Sequence, residues 1–456
     1  MRSPSLPLMV AVLLLPAVRS HGNEERAAPE AAQAGATDAV PCGSSEGIEA
    51  GPRLAALMEQ RKAKCAHIVP YKPSLLERQI LAFEKAERPS IADVNFHGVY
   101  PRVQSIDHRS QTAGGFRFWQ PDLEGSRFDV AADAFWSLQG FRYYSAQAGV
   151  MPHRGKAFPI FPFKGDDVFE LANVRQDDSK PYMLFGSFVY RWAPKFDFFG
   201  IGPDSRAEDR ASFRQRDTLF EAVGGYRVLP RLTLSARLGS YDVALGPGED
   251  KVLPQIEESF EPASIPGLVE SPPGFWRFGA AAVFDARDVA RNPHRGGLLA
   301  GEWLRYAQRD GGASTFSRFA LDGRAYVTLG HPQRVLALRA YLSKDEPRPG
   351  ARVPFYLLAC LGSSHTLRAF DSQRFRGEKL ALFQAEYRWE ASPSIELALF
   401  LDRGAVAATT DDPLDQFRTD GGIGLRFKTH EATLLRFDVA WGSEGTRLAF
   451  RFNPSF

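Results

Sequence analysis

The acidic side chains Glu386 and Asp402 have the setting that best suits them to chemistry in an enclosed space. Counting by twos, Glu386 shares a face with Gln384 and Arg388 and lies opposite Phe383, Ala385 and Tyr387, while Asp402 shares a face with Glu396 and lies opposite the neighbouring leucines. Both carboxylates are therefore expected on an inward face, where a guanidinium can grip a carboxylate through two parallel hydrogen bonds. Signs of catalysis are missing. No G-x-S-x-G nucleophile elbow occurs, no Ser-His-acid arrangement stands out at strand spacing, and the 9 histidines lack metal-ligand spacing. The sequence thus predicts no catalytic residue, no metal and no cofactor, and hence no enzyme. Cys42 and Cys65 form a candidate disulfide, with two separate thiols as the alternative, and Cys360 sits on an expected strand as a small packing residue.

The elements that must carry these groups read as long strands. From about Gly114 onward apolar and mixed residues alternate with period two, in segments separated by Gly, Pro, Asp and Asn clusters. Val130, Ala132, Ala134 and Trp136 alternate with Asp129, Ala131, Asp133 and Phe135, and Ile395, Leu397, Leu399 and Leu401 alternate with Glu396, Ala398, Phe400 and Asp402. Segments of roughly 10 residues exceed the usual soluble strand, and the tryptophans cluster near segment ends, as interfacial girdles require. A soluble sandwich shares the period but neither of these features. The expected fold is an all-β, closed antiparallel transmembrane β-barrel of about 16 strands over 113–456, with one strand hidden between Val150 and Pro181. A mean hydropathy of -0.27 agrees, because lipid-facing and lumen-facing residues average out. A net charge of +2 with mixed signs argues against nucleic acid as a partner.

The N-terminal third reads differently. Arg2 precedes an apolar run from Leu6 to Val18 and a small residue, Ser20, so residues 1–20 are expected to be a secretory signal peptide. Residues 21–112 are expected to form a periplasmic extension, a disordered tether followed by one short helix. In that helix Ser74 and Glu77 make a capping-box pattern ahead of Leu76, Ile80 and Phe83.

The last segment places Leu448, Phe450, Phe452 and Phe456 at alternate positions. A terminal strand ending in Phe resembles the signal by which assembly machinery recognises outer-membrane barrels. Phe450, Phe452 and Phe456 are therefore expected to mark a seam between a first strand near Gly114–Trp119 and a last strand near Arg447–Phe452.

An ordered set of motifs then points to a family. It comprises Phe198-Phe199-Gly200-Ile201-Gly202-Pro203-Asp204-Ser205, Asp285-Ala286-Arg287-Asp288, Leu361-Gly362, Leu367-Arg368-Ala369-Phe370, Arg374-Phe375-Arg376-Gly377, Glu386-Tyr387-Arg388, Phe400-Leu401-Asp402-Arg403-Gly404, Gly422-Ile423-Gly424-Leu425-Arg426-Phe427 and Leu435 to Ala440. Taken together these resemble the BamA/TamA superfamily of outer-membrane barrels, the bacterial surface antigen family, in a short form without POTRA domains. The resemblance implies that Arg368 and Phe370, at the tip of a long loop over roughly 344–378, fold into the lumen, where Arg368 meets Glu386, Asp402 or both. Ala369 replaces the family's Gly, and a turn needing positive φ would be altered there. The resemblance also implies a place in the outer membrane with the N-terminus in the periplasm. Implied partners are outer-membrane lipid and lipopolysaccharide, with unfolded barrel clients or periplasmic factors. The expected activity is insertion or translocation of polypeptide or lipid. A pore-forming or structural barrel with an inward loop is the alternative.

Overall fold

The computed structural model describes residues 98–451, apart from 108, 111, 122, 152–180, 269–271, 291 and 429–432. The signal sequence, the tether, the helix beginning at Ser74, the Cys42–Cys65 pair and the residues Phe452 and Phe456 lie outside the described residues.

One antiparallel sheet of 16 strands dominates the chain. Its order is β1 (Val99–Gln104), β2 (Ala113–Gln120), β3 (Asp129–Ser137), β4 (Arg142–Val150), β5 (Tyr182–Phe198), β6 (Ala211–Leu229), β7 (Leu232–Pro247), β8 (Phe275–Asp285), β9 (Gly296–Gln308), β10 (Phe316–Thr328), β11 (Arg334–Pro347), β14 (Lys379–Ser392), β15 (Ile395–Ala407), β16 (Arg418–Lys428), β17 (Thr433–Gly442) and β18 (Gly445–Arg451). Each strand pairs with its neighbours in this order, which gives an up-and-down meander. A separate two-stranded hairpin, β12 (Ala359–Leu361) with β13 (Phe375–Gly377), lies between β11 and β14.

The alternation decides which way each side chain faces. On β15 the residues Leu397, Leu399 and Leu401 are exposed, while Glu396, Ala398, Phe400 and Asp402 are buried. On β14 Gln384, Glu386 and Arg388 are buried, and Phe383 and Trp389 are exposed. An apolar outside and a charged inside reverse the arrangement of a soluble protein and match that of a transmembrane barrel. The lumen charges are neutralised by one another. Arg117 pairs with Asp133, Arg191 with Asp217, Arg277 with Glu221, Arg237 with Glu302, Arg318 with Asp345, and both Arg324 and Arg339 with Asp322.

The sheet begins earlier than expected. The strand at Ala113–Gln120 is the second, and the first is Val99–Gln104, paired from Val99↔Phe118 to Gln104↔Ala113. Its six residues and Pro101 hide it from a pattern search, because proline removes a ladder donor and is tolerated on edge strands. The sixteen strands include Val99–Gln104 and need none from the stretch between Val150 and Pro181, most of which lies outside the described residues. No ladder joins β18 to β1 among the described residues.

At the end of the barrel that carries the long loops, Val353, Phe355, Tyr356, Leu357 and Leu358 from the loop after β11 pack on Phe198, Phe213, Phe275, Tyr306, Phe316, Ile256 and Ile265. Phe355 meets the rings of Phe198 and Phe213 edge-on. This apolar cluster closes over the charged lumen at that end.

Candidate functional site: the inward loop and its lumen anchor

The loop between β11 and β14 runs back into the barrel, and its tip is held by a compact turn. The Gly362 amide donates to Thr366 Oγ1 at 3.0 Å, Ser363 N to Leu367 O at 3.2 Å, and Gln373 N to Gly362 O at 2.8 Å. Gly362 has φ 97, and a Cβ there would lie 2.0 Å from Asp371 O, so only glycine serves at this position. Gln373 is the one non-glycine residue with positive φ among the described residues, so Ala369 carries no such strain. The expected alteration of the turn at Ala369 therefore does not arise from its backbone. Its methyl group points at Gly442, where an added Cβ would come within 2.9 Å of it.

This turn delivers Arg368, 2% exposed, to the inner face of four consecutive strands. Its Nη2 donates to Glu386 Oε2 on β14 at 3.1 Å. Nε forms an ion pair with Asp402 Oδ2 on β15 at 2.9 Å, and Nη1 lies 3.5 Å from Asp438 Oδ2 on β17. The Ala369 amide supplies the fourth link, donating to Asp420 Oδ2 on β16 at 3.2 Å. Beneath the guanidinium lies the Phe400 ring, with its centre 3.8 Å from Cζ, a stacked cation–π contact. Phe370 is buried and meets Phe375 of the loop hairpin edge-on at 5.4 Å. Arg368, Phe370, Glu386 and Asp402 thus all belong to one interior cluster. Phe450 does not; it is exposed on β18 and packs against Phe437 at 4.8 Å on the outer face.

Further side chains complete the anchor. Glu386 also receives Arg388 Nε at 2.6 Å and pairs with Arg426 Nη2 at 2.8 Å, while Arg436 Nε lies 3.0 Å from Asp438. Arg368, Arg388, Arg426 and Arg436 face Glu386, Asp402, Asp420 and Asp438 across this anchor. Gln384 Nε2 donates to both Thr366 O and Asp402 Oδ1 at 3.0 Å, and Arg436 Nη2 donates to Ser364 O at 2.6 Å. Buried ion pairs of this kind return little net stability, because desolvation offsets the attraction. They do penalise any arrangement that separates them.

A second tether sits on the far side of the loop. Arg374 donates from Nε to Glu444 at 2.9 Å, from Nη1 to Ser205 Oγ at 2.9 Å and from Nη2 to Ser205 O at 2.8 Å. Arg376 reaches the carbonyls of Asp197 and Phe355, and Gly202 N donates to Arg376 O at 2.7 Å. The segment Phe198–Ser205 is therefore the receptor for Arg374-Phe375-Arg376-Gly377. Both strings stand out in the sequence, but nothing in their spacing pairs them. Strand alternation turns Asp420, Arg426, Arg436 and Asp438 inward, but no signal in the sequence marks them as partners of the loop.

Among the described residues no cluster of His, Cys, Asp and Glu is disposed to hold a metal ion. The Cys360 thiol, on β12, donates to Leu358 O at 3.2 Å.

A 16-stranded meander with an apolar outside, a charge-paired lumen and an arginine-tipped loop folded inward has the architecture of a transmembrane β-barrel. Residues 257–455 match the Omp85 superfamily domain. Among solved structures, BamA from Haemophilus ducreyi lacking POTRA domains 1–3 shares the fold, with TM-score 0.54 and 13% identity over 82% of this chain and 77% of that one. CdiB from Escherichia coli is also similar, with TM-score 0.48 and 11% identity over 78% and 63% of the two chains. CdiB from Acinetobacter baumannii has TM-score 0.46 and 12% identity over 74% and 56%. No curated protein matches the chain. No POTRA unit is present among the described residues.

Proposed function

We propose that this barrel assists insertion or translocation of polypeptide or lipid at the outer membrane, with its N-terminus in the periplasm, and that it works at its wall rather than through its lumen. The observation that carries this reading is the Arg368 anchor. One buried loop residue engages β14, β15 and β17 directly, and its neighbour engages β16, which ties the inward loop to the strands leading up to the last one. A lumen filled by this loop and by mutually paired charges offers little room for a passing chain. The short edge strand β1, with Pro101, and the seven-residue β18 are the weakest places in the wall. Unfolded barrel clients, periplasmic factors and outer-membrane lipid are the partners such a seam would meet.

Liposome reconstitution tests the proposal. The barrel is expected to speed the folding of a urea-unfolded outer-membrane client several-fold over empty liposomes. Equal rates with and without it would sink the reading. They would favour the alternative of a structural or pore-forming barrel, which predicts steady conductance in planar bilayers instead.

A further inference from the structure

Lumen arginines such as Arg117, Arg191 and Arg318 have acidic partners, but among the described residues a group of arginines on the opposite face of the sheet has none. Trp136, Arg142, Trp192 and Arg216 occupy one row across β3, β4, β5 and β6, through the register pairs Trp136↔Arg142, Arg142↔Trp192 and Trp192↔Arg216. All four lie on the outward face, since their chain neighbours Phe135, Tyr143, Arg191 and Asp217 are buried inside. Arg142 and Arg216 are exposed. Arg214, two residues along β6, lays its guanidinium over the Trp192 ring at 5.2 Å. It lies across Gly246 of β7, where an added Cβ would be 2.4 Å from Nη2.

Three arginines therefore neighbour a single indole, Arg214 through its guanidinium and Arg142 and Arg216 through strand register, and none makes an ion pair with an acidic side chain among the described residues. The nearest acid one row down, Asp242, is taken up by Arg309 through two hydrogen bonds of 2.9 Å. Lys195, next along the same edge, bonds Gln139 and adds positive charge.

The row below is Tyr144 and Tyr190, with rings 5.8 Å apart, and Trp136 Nε1 donates to Tyr144 OH at 2.9 Å. Below these come Ala146, Phe188 and Phe220. Aromatic girdles of this kind mark the boundary between headgroups and hydrocarbon. The arginines thus stand at headgroup height, at the loop end, where an uncompensated charge calls for an anion.

We propose that this outward patch binds the two phosphate groups of a bis-phosphorylated lipid headgroup of the lipid A type. Charge chooses the ligand. Two phosphate monoesters together carry about -3 to -4, which matches three guanidiniums, whereas a single phosphodiester lipid carries about -1. Arg142 and Arg216 stand two strands apart, about 10 Å, which is wide for one phosphate and suited to two. Guanidinium forks fit phosphate oxygens bidentately, and the flanking indoles cover the sugar and the upper chains. The inference rests on the chain being an outer-membrane barrel and is independent of whether it inserts clients.

The full-length protein, folded in detergent, would be titrated with bis-phosphorylated lipid A, mono-phosphorylated lipid A and phosphatidylglycerol, with binding read by native mass spectrometry. Bis-phosphorylated lipid A is expected to bind tightest and phosphatidylglycerol weakest. R142Q/R214Q/R216Q should lose about a hundredfold, from roughly fivefold per arginine, while R142K/R214K/R216K keeps most of the affinity. Unchanged binding in the glutamine variant overturns the site, and equal wild-type binding of phosphatidylglycerol overturns the choice of ligand. Heat-modifiability on gels separates a variant that binds poorly from one that has not formed a barrel. Should the triple variant fail to fold, R142Q and R216Q alone should each lose roughly fivefold.

Discussion

Ala369 fills the space that Gly442 leaves open. A Cβ at position 442 would stand 2.9 Å from the Ala369 Cβ and 3.3 Å from the Phe370 ring, so the loop tip and β17 approach as closely as their side chains permit. Gly442→Ala should push the tip off the wall, at about 1–3 kcal/mol, the usual range for overpacking. Ala369→Gly should restore much of that loss in the double variant, because it removes the atom that clashes. Denaturant unfolding of the four proteins in detergent checks this. If the double variant is no better than G442A, the contact does not govern the fit.

Arg368 offers a sharper test, because its removal leaves Glu386, Asp402 and Asp438 buried with less positive charge than they need. Arg368→Gln should cost roughly 3–5 kcal/mol, the range for breaking a buried ion pair from one side. Arg368→Lys should recover only part of it, since an ammonium lacks the planar fork and the stacking over Phe400. In planar bilayers the glutamine variant should conduct more, and more noisily, than the wild type, as the loop leaves the lumen. A silent R368Q barrel would mean that the loop stays in place without its arginine.

The alternation of side chains makes much of this visible in the sequence. Glu386 and Asp402 fall on the inner face because Phe383, Leu399 and Leu401 must face lipid, and a period of two leaves no other choice. The strand at Val99–Gln104 was hidden because six residues with a proline carry too short a pattern. The docking of Arg374 onto Ser205 was hidden for another reason. The two residues are 169 apart in the chain, and strand periodicity carries no information about which loops meet across the mouth of a barrel.

His294 introduces a pH dependence at the end of the barrel opposite the long loops. It lies in the connection between β8 and β9, with Nε2 3.2 Å from Glu390 Oε1. Burial, followed by the nearby Lys428 ammonium, pushes its imidazole below the ordinary value of 6.5, against smaller opposite pulls from Asp288 and Glu396. The folded protein therefore holds its proton less firmly than the unfolded chain does. Stability from this site is complete above about pH 6.5 and declines as the pH falls below it. Proteolysis of the 286–295 connection should become faster between pH 7 and pH 5 in the wild type and stay level in His294→Gln. Parallel acid responses in both proteins would remove His294 as the cause.

Arg374 should control how firmly the long loop holds the mouth of the barrel together. Its guanidinium joins Ser205, after β5, to Glu444, in the two-residue turn between β17 and β18, with the Phe375 ring 4.5 Å away. Arg447 on β18 reaches the same loop through Asp371 at 2.5 Å, so the final hairpin is gripped at two points. With Arg374→Gln the bonds to Ser205 and Glu444 weaken together, and both segments lose a shared partner. Hydrogen exchange should then quicken at Gly202, whose amide bonds Arg376 O, and at the 442–446 turn, while amides in the middle of β10 and β11 keep their protection. Faster exchange throughout the sheet would instead point to general destabilisation. Unchanged exchange at Gly202 would show that Arg376 and the Phe198–Phe355 contact hold the segment without Arg374.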